Sequence, residues 1–229
     1  MNDKIGDRMK INYEEAFKIR LPMRMPVIIR LDGKCFHTFT KKMNKPFDNN
    51  LIKDMADTAK YLCKNIAGSQ MAYVQSDEIS ILIHNYKKLD SEPWFHNEIQ
   101  KMVSVSASIA SSYMSRVYEK QVLFDSRVFV LPESEVNNYF IWRQKDAIRN
   151  SISMVAQSLY SHKELQNKSC SQMKEMIANR MDIKWDDINT HKKHGESIIK
   201  VDGSWVVDWE MPELTTNHDY VENLLKTEE

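Results

Sequence analysis

The amino-acid sequence predicts an α+β protein in two layers, with helices laid against one sheet. Three features lead there. Short β-rich apolar runs at residues 27–31, 71–74, 79–83 and 124–131 read as buried strands. Longer segments with apolar residues at helical spacing separate the first from the second and the third from the fourth. The resulting order of strand, helix, strand, strand, helix, strand is the split βαβ, ferredoxin-like arrangement.

Each element has its local reason. The first two dozen residues are polar and mixed, with a helix expected over 13–20 before Pro22 and Pro26. The strand at 27–31 closes on Asp32-Gly33, a turn signal. A lysine-rich loop follows, and Asp48 is the expected N-cap of a helix whose apolar face carries Leu51, Met55, Ala59, Leu62 and Ile66. Gly68 ends that helix. The runs 71–74 and 79–83 flank the polar tetrapeptide Gln75-Ser76-Asp77-Glu78 and read as a hairpin. Residues 94–117 form a long helix rich in small residues, Pro132 stops the strand 124–131, and 142–159 is helical again. A helical extension and a hairpin of 197–201 and 204–209, turning at Asp202-Gly203, complete the chain. The expected division is a main domain over 1–160 with 161–229 packed on it.

Composition removes whole classes of function. With 229 residues, the chain buries roughly 70% of its unfolded surface. It is 42% apolar and 28% charged with five Gly and six Pro, which excludes disordered and collagen-like chains. No apolar run approaches the ~20 residues that cross a bilayer, and the N-terminus lacks the apolar core of a secretory signal. The three cysteines, Cys35, Cys63 and Cys170, lie far apart without metal-ligand spacing. A soluble, cytoplasmic protein is expected. The 32 basic and 32 acidic residues cancel, which argues against a nonspecific nucleic-acid coat. Residues 34–45 nevertheless carry four lysines and no acid, whereas 208–229 carry seven acids and one base.

Asp32 closes the first strand and Asp77 sits at the tip of the hairpin, so both fall at one predicted sheet edge. Asp-Gly is a common turn and Ser-Asp-Glu ordinary hairpin chemistry; the coincidence of the two points further. Side by side, two carboxylates can hold a pair of Mg²⁺ ions ~3.5–4 Å apart, the clamp for in-line phosphoryl or nucleotidyl transfer. Mg²⁺ needs few protein ligands when phosphates and water supply the rest. Gly33 allows close backbone approach and offers a carbonyl. The backbone of Lys34, Cys35, Phe36 and His37 can wrap a triphosphate, with Lys45 reaching the same phosphates. No Walker A or GxGxxG pattern is present.

Five ordered blocks resemble the tRNA(His) guanylyltransferase superfamily. They are Arg30-Leu31-Asp32-Gly33-Lys34 with Phe36-His37 and Lys45-Pro46; Tyr73 with Gln75-Ser76-Asp77-Glu78; Ala110-Ser111-Ser112-Tyr113; Phe124-Asp125 with Arg127; and Trp142-Arg143-Gln144 with Asp146. The resemblance is firm over residues 30–150. It implies a polymerase palm-like domain that adds nucleotides to a tRNA 5′ end, after activation of the 5′-monophosphate with ATP or GTP. It assigns Asp32, Gly33 and Asp77 to two Mg²⁺ ions, with Asp32 and Asp77 catalytic. It assigns Asp32 to His37, Lys45, Ser76, Asp77, Lys101 and Asn150 to nucleotide. It also implies a homotetramer.

Members that add a single G to tRNA(His) carry a His-Ile-Asn-Asn block where this chain has Ile148-Arg149-Asn150-Ser151. That departure resembles the guanylyltransferase-like branch, which repairs truncated tRNA 5′ ends against the intact strand. A dedicated tRNA(His) guanylyltransferase is the alternative. A palm-type nucleotide cyclase and a non-catalytic RNA-binding module are more remote: the blocks are not cyclase-like, and Ile, Val and Leu occupy the strands where an RNA binder exposes aromatics.

Overall fold

The structure, a computed structural model, describes residues 4–180 and 184–227. Its centre is an antiparallel sheet of six strands in the order β4-β1-β3-β2-β5-β6. These are β1 (Val27–Gly33), β2 (Ser69–Gln75), β3 (Glu78–Ile83), β4 (Phe124–Val130), β5 (Glu196–Val201) and β6 (Ser204–Asp208). The first four have the expected ferredoxin-like order. The C-terminal hairpin extends the same sheet, with β5 pairing to β2 at Met71↔Ile199 through Val74↔Glu196.

Helices α1 (Asn49–Asn65) and α2 (Ile99–Val117) cover one face. Met55, Ala59 and Leu62 of α1 and Met102, Ala110 and Met114 of α2 meet Ile29, Leu31, Val74, Ile79 and Ile81 there. The opposite face, carrying Ile28, Tyr73 and Leu82, is closed by α3 (Glu133–Leu159) through Val136 and Phe140 and by Met211, Leu214 and Val221. Helix α3 and the C-terminal segment thus add a third layer to the two expected. Coverage on both sides explains why β3 is buried at every position. A smaller core of Ile152, Val155, Ile177 and Trp185 joins α3 to α4 (Cys170–Arg180).

Asp48 caps α1 as expected, its Oδ1 accepting from the Asn50 and Leu51 amides at 3.0 and 3.1 Å. Three helix boundaries differ from expectation. The N-terminal helical residues are Ile5–Met9, followed by tighter and wider turns to Phe17, and not 13–20. By residue 19 the backbone is extended, because Ile19 accepts from the Ile99 amide at 3.0 Å and the Leu21 amide donates to Asn97 at 3.0 Å. Helix α2 starts at Ile99, since Phe95 and His96 hold positive φ values of 50° and 51°. Buried Asn97 pins that bend, donating from its side chain to the Pro22 carbonyl at 3.1 Å. Helix α3 begins at Glu133, nine residues before Trp142. Pro132 precedes it and Glu133 and Glu135 lie in its first turn, an ordinary helix start.

Among the described residues no helix is long and apolar enough to cross a membrane.

Candidate active site

β1 and β3 are neighbours running in opposite directions, so the end of one meets the start of the other. Asp32 pairs in register with Glu78, and the Gly33 amide donates to the Asp77 carbonyl at 3.1 Å. Ser76 turns the hairpin with φ 52°. Asp32 and the half-buried Asp77 therefore stand together at one sheet edge. Burial first, then the negative charge of Asp32, raises the Asp77 carboxyl above the usual carboxylate range. Asp32 is partly neutralised, with Arg30 Nη2 at 3.4 Å and Arg127 Nη2 at 4.0 Å from its Oδ2.

This edge suits a hard cation. Two carboxylates repel there, and Asp77 has no cationic partner of its own among the described residues. No group of three or more His, Cys, Asp or Glu side chains is arranged to hold a metal among those residues. An ion at this edge would complete its shell with phosphate oxygens and water, as Mg²⁺ commonly does.

Gly33 is required by packing. A Cβ there would lie 2.2 Å from the Phe36 ring, which is itself buried against Phe39 and Phe124. Cys35 takes a left-handed conformation (φ 58°) and starts the single helical turn Phe36–Phe39. The amides at the start of that turn have no preceding helical carbonyl to bond. The turn borders a cleft of about 470 Å³ lined by Gly33, Cys35, Phe36, His37, Lys45, Ser76 and Asp77 among others. Lys34 is exposed outside that lining, its amide donating to Leu123 at 2.8 Å.

A second pocket shares Leu51, Ser76 and Met154 with the first and adds Gln75, Asn150 and Glu196. Asn150 is thus brought near the nucleotide loop by α3. Lys101 is not. It lies at the start of α2, 3.7 Å from Glu98, and Asn97 of the same bend bonds Asn85 just beyond β3 at 3.0 Å. That is the far end of the strands from Asp32, so the fold of this chain does not bring Lys101 to the cleft beside Asp77. The physical reason is chain direction: β3 leaves the site, and whatever follows it begins at the opposite edge.

Several motif positions acquire roles that sequence reasoning left blank. Arg143 grips buried Glu78 with two bonds of 2.7 Å, and Arg30 Nη2 reaches the same carboxylate at 2.6 Å. Burial raises the Glu78 carboxyl, and the charges of Arg143 and Arg30 offset part of that rise. Asp146 accepts from Arg143 at 2.9 Å and from Arg149. Gln144 bonds the C-terminal segment, donating to Pro212 at 3.0 Å and accepting from the Leu214 amide at 2.8 Å. Ser111 accepts from the Phe124 amide at 3.0 Å, fastening α2 to β4. The signature blocks therefore hold the carboxylate edge in place as well as forming it.

The family model described as tRNAHis guanylyltransferase matches residues 6–132. A solved bacterial tRNA(His) guanylyltransferase (Thg1)-like protein in complex with ATP superposes with a TM-score of 0.92 and 48% identity, over 96% of this chain and 99% of that one. A bacterial protein of the same description in complex with GTP has a TM-score of 0.84 and 45% identity, over 97% and 99%. The tRNA(His) guanylyltransferase of Debaryomyces hansenii is 29% identical over 198 residues, 76% of this chain and 73% of the yeast protein.

Proposed function

The chain belongs to the tRNA(His) guanylyltransferase family of nucleotidyltransferases, and on that premise we infer that it is a Mg²⁺-dependent, template-directed 3′–5′ nucleotidyltransferase that rebuilds truncated tRNA 5′ ends. The observation that carries the reading is the paired ends of β1 and β3, where Asp32 stands beside Asp77 at the edge of a cleft that Asp77, Gly33, Cys35, Phe36, His37 and Lys45 line.

Asp32, Asp77 and the Gly33 carbonyl are the residues to hold two Mg²⁺ ions, which when bound supply charge stabilisation at the attacking and leaving oxygens. The residues Gly33 to His37, with Ser76 and Lys45, orient the triphosphate. Solved relatives hold ATP and GTP, and both are taken here as activating or incoming nucleotides. Activation joins a nucleoside monophosphate to the tRNA 5′-phosphate with loss of pyrophosphate. The 3′-hydroxyl of the incoming nucleotide then attacks that 5′-phosphorus and the activating monophosphate departs. Alignment of this kind removes several kcal/mol from a barrier by orientation alone. A cytoplasmic homotetramer is proposed by family analogy, and light scattering of the purified protein checks the assembly.

Ile148 supports the repair reading over single-G addition, because it stands where dedicated guanylyltransferases carry histidine. Without that side chain, Watson–Crick pairing with the opposite acceptor strand does the positioning. The deciding experiment supplies tRNA lacking its first 5′ nucleotide, Mg²⁺ and labelled nucleotides, and changes the templating base alone. Joining of C opposite G and G opposite C is expected. Joining of G at equal rates whatever the template would return the protein to the single-G class.

A further inference from the structure

The pocket beside the nucleotide cleft contains an acid that the catalytic reading does not use. Glu196 opens β5, opposite Val74 of β2, and is only 3% exposed. It lines this pocket together with Gln75 and Asn150, while Phe47, Leu51, Ile52 and Met154 supply apolar walls. Its position is locked from both sides. Gly195 leaves no room for a Cβ, which would lie 2.4 Å from the Val74 carbonyl, and the Tyr73 hydroxyl donates to the His194 carbonyl at 2.5 Å.

The charged neighbours do not neutralise it. Asp48 is saturated as a cap, accepting from the Asn44, Asn50 and Leu51 amides. Lys193 Nζ donates to the Asp186 carbonyl at 2.5 Å, Lys192 lies over the Phe47 ring, and His191 packs on Trp209. Burial and the neighbouring lysine charge hold His191 below the usual histidine range. Among the described residues the Glu196 carboxyl makes no hydrogen bond or ion pair. Buried polar groups are ordinarily paired, so a carboxyl at the pocket wall with no protein partner is open to one that a ligand supplies. Burial alone pushes the Glu196 carboxyl well above the usual carboxylate range, which favours its neutral, protonated form.

A protonated carboxyl presents an O–H donor beside a C=O acceptor. Adenine offers N1 as acceptor beside the N6 amine as donor, and guanine offers O6 as acceptor beside N1–H. Either purine matches the acid through the choice of which oxygen carries the proton. The geometry points to Glu196 as the residue that reads the Watson–Crick edge of the purine of a bound nucleoside triphosphate, whose phosphates lie in the adjoining Ser76 and Lys45 cleft. This rests on the nucleotide-binding reading above and adds to it the residue that recognises the base.

The test measures the Kd of ATP, GTP, N1-methyl-GTP and inorganic tripolyphosphate for wild type, Glu196→Gln, Glu196→Ala and Lys45→Ala. Glutamine keeps one donor and one acceptor, so Glu196→Gln should bind both nucleotides within about twofold of wild type. Loss of two neutral hydrogen bonds in Glu196→Ala should weaken ATP and GTP roughly tenfold while leaving tripolyphosphate unchanged. N1-methyl-GTP, with its edge blocked, should bind wild type no better than GTP binds Glu196→Ala, and this holds as a test even where the alanine variant fails to fold. Normal nucleotide affinity in a folded Glu196→Ala, or full affinity of wild type for N1-methyl-GTP, overturns the role of Glu196. If Lys45→Ala still weakens all four ligands in that case, the nucleotide site itself stands. Failure of wild type to bind any of them overturns the nucleotide-binding reading and this role with it.

Discussion

Glu78 and Asp77 are consecutive in the chain and opposite in circumstance. Glu78 turns into the wall between β3 and α3, where Arg143 and Arg30 surround its carboxylate at 2.6–2.7 Å. Asp77 turns towards the cleft, where its strongest electrostatic neighbour is another acid, Asp32. Glu196 on β5 repeats the second pattern more deeply buried. One acid is matched by guanidinium groups of the chain itself; Asp77 and Glu196 have no such partner among the described residues. The difference separates an acid compensated within the fold from acids left open to a ligand, a distinction that burial alone does not make.

The sharpest way to break this comparison is to remove the acids of the sheet edge. Asp32→Ala and Asp77→Ala should each reduce nucleotide addition by a thousandfold or more, about 4 kcal/mol of lost transition-state stabilisation. Asp77→Ala should at the same time keep its thermal midpoint, because it deletes a repelling charge. Single-turnover assays beside calorimetry check both halves. Near-normal turnover at saturating Mg²⁺ would remove the metal assignment.

Glu78→Ala should behave in the reverse way. It leaves the buried guanidinium of Arg143 with Asp146 alone and Arg30 with Asp32 alone, and breaking such a buried pair costs about 3–5 kcal/mol of folding stability. Urea unfolding measures this directly. A stability loss no larger than that of Asp77→Ala would mean the two acids are not different in kind.

Lys45→Ala is a smaller probe of the cleft side. Lys45 is exposed on the nucleotide rim, so its loss should raise KM for the triphosphate by roughly tenfold, in line with one charge-assisted contact of ~1.5 kcal/mol. The Kd for tRNA should change less. Equal losses in both would make it a general electrostatic contributor.

Much of this contrast was readable before folding, for reasons that differ by residue. Val27, Ile28 and Ile29, then Ile79, Ile81 and Ile83, announce adjacent strands by β-branched runs, and Asp32 and Asp77 fall at their ends by simple position. The five blocks revealed the family, and the fold, the family model and the solved relatives agree with that resemblance. The start of α3 is also written in Pro132-Glu133, a pair that equally marks the end of a strand. The distance of Lys101 from Asp32 follows from chain direction, which a likeness of motif does not register. The guanidinium cage of Glu78 depends on α3 crossing β3 at Arg143, a contact 65 residues apart in sequence. Glu196 had no motif at all: its burial follows from β5 pairing with β2 across more than a hundred residues.

The mildest prediction isolates that last residue from catalysis. Burial raises the folded-state pKa of Glu196, whereas the unfolded chain titrates near the ordinary value of about 4.3. Below that ordinary value both states are protonated and the side chain has no pH-linked effect. As pH rises through it, the unfolded chain ionises while the folded protein keeps its proton, so wild-type stability falls until the folded pKa is passed. Glu196→Gln cannot ionise in either state. Its thermal midpoint should match wild type at about pH 3.5 and exceed it increasingly towards about pH 7, above the unfolded-state pKa. Midpoints taken across that range, without nucleotide, read out the acid's charge state independently of any ligand. A constant offset between the two proteins at every pH would mean that Glu196 is ionised in the fold as freely as outside it, and would place it with Glu78 among the compensated acids.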